Sequence, residues 1–191
     1  MRRRALIARL AIASLVATPV LGMTMSEAEA APDLENELYL DLKDGRVVIQ
    51  LFPDIAPKAV ARVKELCRKG FYDGTPFHRV IEGFMAQGGD PTGTGTGGSG
   101  LGHLPAEFTT KRHFLRGTVG AARSSDPNSA DSQFFIMFAP STHLDGQYTI
   151  WGQVISGMEF VDHIKRGGGA NGMVSNPDKI IHMRVAADVK N

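Results

Sequence analysis

Phe77-His78-Arg79-Val80-Ile81-Glu82-Gly83-Phe84-Met85-Ala86-Gln87-Gly88-Gly89-Asp90 sets an arginine, a phenylalanine, a methionine and a glutamine on one short run of strand character. No acid–base pair accompanies them. A permanent cation, an apolar wall and an amide that both donates and accepts suit an uncharged polar group held over a greasy surface. Neighbouring residues on a strand point to opposite faces, so His78 faces inward if Arg79 faces out, and it reads as structural. A second block, Ser132-Gln133-Phe134-Phe135-Ile136, carries an adjacent aromatic pair of which one ring alone can face the same side as Arg79.

Outward from these blocks the chain alternates between short apolar runs and glycine. Leu38, Leu40 and Leu42 alternate with Tyr39 and Asp41, Asp44-Gly45 signals a turn, and Val47 to Phe52 is apolar, which predicts a β-hairpin. Pro57 at a first helical position, apolar Val60, Val63 and Cys67, basic Arg68 and Lys69, and Gly70 as terminator predict one helix. Further strand-like runs lie at 77–81, 84–86, 118–122, 134–138 and 148–154. A second helix is expected at 158–165, closed by Gly167-Gly168-Gly169, and Ile181, Met183, Val185 and Ala187 alternate as a last strand. Many short strands with two helices indicate an all-β sandwich or barrel, and periodicity does not choose between them.

The 191 residues hold one cysteine, Cys67, which excludes an internal disulfide and reads as a small buried hydrophobe. Residues 1–30 read as a signal peptide: Arg2-Arg3-Arg4 is the basic start, residues 10–22 are apolar but short for a membrane span, and Ala28-Glu29-Ala30 is an A-x-A cleavage site. The expected location is periplasmic or secreted after cleavage near Ala30, with no stable membrane anchor. Residues 31–191 then form one domain with 17 basic against 18 acidic residues. Such a balance, without basic runs, gives no electrostatic reason for a nucleic-acid partner. The six histidines show no H-x-x-x-H spacing, so no metal is expected. Gly93 to Gly98 fits G-x-G-x-x-G, but no helix pattern follows, and no cofactor is expected.

Both blocks, in this order, resemble the signatures of the cyclophilins, the prolyl cis/trans isomerases, over about residues 36–189. The resemblance implies a closed eight-stranded antiparallel barrel with a helix covering each end. It also implies a monomer acting on proline-containing segments of unfolded or folding proteins. The barrier to rotating an amide is roughly 18–20 kcal/mol because the nitrogen lone pair is delocalised into the carbonyl. A donor aimed at the prolyl nitrogen favours the twisted state, in which that lone pair is localised. By the resemblance, Arg79 is that donor and Gln87 holds the substrate backbone. Phe84, Met85, Phe135 and Leu144 line the proline pocket, Ala122 and Arg123 form the edge that pairs with the peptide, and Gln133 supports Arg79 from behind.

Three positions depart from the family pattern. Arg123 replaces a common asparagine. His143 stands where the best-known eukaryotic members carry a tryptophan that contacts cyclosporin, and Tyr148 where many carry a histidine lining the groove; both look like bacterial-type members. The alternative function is a non-catalytic module that binds a proline-containing segment, for which Arg79 would be dispensable. A general holdase role has little support, because residues 31–191 contain no added arm or helical domain.

Overall fold

Alternation along the first hairpin places Leu38, Leu40 and Leu42 of β1 (Glu37–Leu42) and Val47, Ile49 and Leu51 of β2 (Gly45–Leu51) on one buried face. These side chains start the core of a computed structural model that describes residues 33–190; the expected leader at 1–30 lies outside the described residues. The other strands are β3 (Arg79–Ile81), β4 (Met85–Gly88), β5 (Thr118–Ala121), β6 (Phe134–Met137), β7 (Ile150–Ser156) and β8 (His182–Val185). Phe134 packs edge-to-face against Tyr72, Phe77 and Trp151, with ring centroids 5.7, 6.2 and 6.0 Å apart, and all four rings are fully buried.

α1 (Pro57–Arg68) buries Ala59, Val60, Val63, Leu66 and Cys67 and packs beside β8. Its start lacks a capping side chain of its own. The distant Glu107 carboxylate accepts from the Lys58 and Ala59 N–H groups instead, at 3.0 and 2.9 Å. Cys67 is buried, and burial pushes its thiol up to about 12, which makes it an inert core group. α2 packs against β2 and is shorter than expected, Met158–Asp162, because the bonds from the His163 and Ile164 N–H groups shift to three-residue spacing.

All strand pairs are antiparallel, in the order β3-β4-β6-β5-β7-β2-β1-β8. The expected closed barrel is corrected to an open half-barrel: β3 and β8 do not pair. Beside the gap the chain pairs only through isolated antiparallel bridges, such as Pro76 with Lys179, and residues 167–173 loop over the outer edge of β3. Irregular bonds span the gap. Phe77 N–H donates to Asp178 O at 2.9 Å, Val80 N–H to Gly172 O at 2.7 Å and Gly167 N–H to Val80 O at 2.9 Å. Gly172, at φ +70°, fits where a Cβ would collide with the Ile81 side chain.

Candidate active site

β3 and β4 pair with Arg79 opposite Gln87, and β4 and β6 with Gln87 opposite Phe135, so strand register alone gathers these three residues. The Arg79 guanidinium donates from Nη1 to Gln87 Oε1 at 3.1 Å. Gln87 Nε2 donates to Gln133 Oε1 at 3.0 Å, and Gln133 Nε2 donates to the carbonyls of Gly95 and Gly97 at 3.0 and 2.9 Å. A guanidinium donates only and a carbonyl accepts only, so both amides have one permitted orientation. The chain of bonds is directional and holds the guanidinium from one side. On the other side Arg79 Nε donates to Asn171 O at 2.9 Å. Among the described residues no carboxylate pairs with Arg79, which leaves three of its five N–H groups free to face a ligand.

The far end of this chain is fixed by Asp90. Its buried carboxylate accepts from the Thr92 hydroxyl and from the N–H groups of Thr92, Gly95 and Gly97, folding the 92–97 loop around itself. Burial alone would raise the Asp90 pKa, but these donors outweigh it and hold the carboxyl below its ordinary value. A Cβ at Gly97 would run into that carboxylate.

Beside Arg79 lies a second apolar cluster, separate from the main core. Phe135 belongs to it, whereas its neighbour Phe134 belongs to the core, as strand alternation requires. Phe135 stacks on Phe114 with centroids 5.5 Å apart and meets Tyr148 edge-on at 5.7 Å. Gly120 makes room for the stack: a Cβ there would lie 2.7 Å from Phe135 and 2.8 Å from Phe114. The loop that supplies His143 and Leu144 is tied to this stack, because Ser141 N–H donates to Phe114 O at 2.8 Å and Asp145 accepts the Phe114 N–H at 2.8 Å.

Nine of the residues expected from the sequence line a single pocket of about 180 Å³: Arg79, Phe84, Met85, Gln87, Ala122, Arg123, Phe135, Leu144 and Tyr148. Gln133 is not among them. It lines an adjoining polar pocket of about 440 Å³, formed with Gly95–Gly98, His103, Ser124 and Asp131, and it touches Gln87 rather than Arg79. His143 also stands outside the smaller pocket, stacked on Phe84 with centroids 6.2 Å apart. Gln87, Ala122 and Arg123 line both pockets and so mark the ridge between them. The Asn171 carbonyl and the Phe114 ring carry no signal in the sequence beyond the Asn171-Gly172 turn dipeptide, and the Gly93–Gly98 run marks a glycine-rich loop without saying which of its carbonyls accept.

His78 is 1% exposed, and among the described residues neither ring nitrogen finds a hydrogen-bond partner. Burial holds its pKa below 6.5, partly offset by the Asp90 charge. The unfolded chain takes up this proton more readily. Its contribution to stability is therefore level above the unfolded pKa of 6.5 and falls as the pH drops below it. His78→Phe is expected to flatten this part of the acid side, measured by denaturant unfolding at about pH 7.5 and about pH 5. An equal loss in both proteins would assign the acid sensitivity to other groups.

The family model for the cyclophilin-type peptidyl-prolyl cis-trans isomerases matches residues 38–185. A probable peptidyl-prolyl cis-trans isomerase of Brucella suis is 52% identical, over 95% of this chain and 96% of the relative. Peptidyl-prolyl cis-trans isomerase B of Bacillus subtilis is 41% identical, over 68% of this chain and 90% of the relative. Among solved structures, a cyclophilin from Hirschia baltica superposes with a TM-score of 0.73 at 28% identity, covering 83% of this chain and 76% of that one. A cyclophilin-type isomerase from Cryptosporidium parvum, solved in the presence of the dipeptide Ala-Pro, gives 0.72 at 30% identity, covering 81% and 99%.

Proposed function

The chain belongs to the cyclophilin-type peptidyl-prolyl cis-trans isomerases, and we propose that Arg79 carries its catalysis by stabilising the twisted X-Pro amide without a covalent step. The supporting observation is one piece of geometry. A guanidinium with no carboxylate partner among the described residues, gripped by Gln87 and by Asn171 O, stands at the rim of an apolar pocket built on Phe135. In this reading the proline ring enters the pocket against Phe84, Met85, Phe135 and Leu144. A free N–H of Arg79 faces the prolyl nitrogen as its lone pair localises. Gln87 and the edge at Ala122 and Arg123 fix the peptide backbone, so binding energy is spent on the rotated geometry. The Cryptosporidium relative solved with Ala-Pro supports a proline-containing segment as the occupant.

The substrates proposed are exported proteins during folding, met after cleavage of residues 1–30 near Ala30 in the periplasm or outside the cell. The support is the basic start, the short apolar run and the A-x-A site. A protease-coupled assay on an uncharged Ala-Pro peptide tests the reading. Catalytic acceleration supports it, whereas saturable binding without acceleration would make the groove a proline-peptide binding module.

A further inference from the structure

Arg123 occupies the ridge shared by both pockets, and its side chain is unusually fixed for a groove arginine. Its guanidinium lies over the Tyr148 ring, 4.3 Å from the centroid, and Tyr148 in turn meets Phe135 and Phe114 edge-on. Nε and Nη2 donate to Gln147 O at 3.1 and 2.8 Å, and Nη1 donates to Ser124 O at 2.8 Å. Both acceptors, the Gln147 and Ser124 carbonyls, are neutral. Two N–H groups remain, and among the described residues no carboxylate pairs with the charge. The one carboxylate lining either pocket, Asp131, is already engaged by Arg62 and by Ser99. Among the described residues the groove therefore holds two cations that no carboxylate pairs with, Arg79 and Arg123, and no free anion to balance them.

Resting on the isomerase reading above, we propose that Arg123 is a specificity-determining residue: the enzyme favours proline segments carrying an acidic side chain within about three residues of the proline, the reach of an extended strand crossing from one pocket into the other. A cation already stacked and hydrogen-bonded loses little side-chain freedom when a carboxylate docks on it. A lysine at the same place meets uncompensated positive charge. The contact is partly open to solvent, so the preference is modest and salt-sensitive.

The test uses the whole protein and a set of Ala-Pro peptides with Glu, Gln or Lys placed singly at each of the positions flanking Ala-Pro. At low salt, kcat/KM at the best position is expected to favour Glu over Gln about two- to fivefold and Glu over Lys on the order of five- to tenfold, fading in about 0.5 M NaCl. In Arg123→Gln the Glu-to-Lys ratio should collapse toward one, whatever the absolute rate. Arg123→Lys, which keeps the charge, should retain part of it. Circular dichroism melts confirm that each variant is folded. A Glu-to-Lys ratio near one at every position in the wild type overturns the proposal, as does a ratio that survives in Arg123→Gln. If no peptide is turned over, the isomerase reading fails instead, and peptide affinities measured by calorimetry on the same set still decide the charge preference.

Discussion

Arg79→Ala is expected to lower kcat/KM on an Ala-Pro peptide by about two to three orders of magnitude, with the melting transition barely moved. The scale comes from the removal of one fixed donor that acts on charge developing in the transition state, about 2.7–4 kcal/mol. The fold loses little, because the guanidinium makes two hydrogen bonds to neutral oxygens and no ion pair among the described residues. Arg79→Lys is expected to recover only a small part of the rate. An ammonium keeps the charge but cannot hold Gln87 Oε1 and Asn171 O together while offering a third direction to the substrate. Thermal melts and protease-coupled kinetics on the same preparations check both statements. Undiminished turnover in Arg79→Ala would remove Arg79 from the mechanism and leave the apolar pocket as a binding feature alone.

The second large effect separates two adjacent phenylalanines. Phe134→Ala is expected to cost about 3–5 kcal/mol of stability, since it opens a cavity among Tyr72, Phe77 and Trp151. For a domain of this size that corresponds to a fall in melting temperature of roughly 6–20 °C. Molecules that remain folded should isomerise peptides at close to the normal rate. Phe135→Ala removes an aromatic wall of the apolar pocket and its stack on Phe114, and its main effect should be on kcat/KM at temperatures where the protein is folded. The reverse pattern, with activity lost in Phe134→Ala and retained in Phe135→Ala, would mean that the two faces of β6 have been exchanged.

Features with a local period were legible in the sequence. Leu38, Leu40 and Leu42 declare the face of β1, and Pro57 and Gly70 the limits of α1, while the turn falls one residue before Asp44-Gly45, at Lys43-Asp44. The groove side chains were legible through family resemblance rather than periodicity, because alternation says only that Phe134 and Phe135 face opposite ways, not which of them faces the core. The supports of Arg79 were harder to see. The Asn171, Gly95 and Gly97 acceptors are main-chain carbonyls, which every residue possesses, and Asp90 acts through a loop whose shape depends on glycine torsions. The open edge of the sheet is not legible in the sequence for a related reason. Whether the first and last strands of a row meet depends on accumulated twist and on the connecting loops, not on the apolar pattern within either strand.

That open edge also places Arg79 on an edge strand of the sheet. β3 has three residues, one ladder partner and a glycine-rich loop in place of a second strand. Proteins open locally at free energies well below that of global unfolding, and such openings begin where neighbouring bonds are few. On the mechanism proposed for Arg79, the loop over β3 is expected to act as a clasp: its release would take Asn171 O from the guanidinium and stop turnover while most of the half-barrel stays folded. Inactivation and unfolding are then two separate events, and a structural probe of the core would register only the later one.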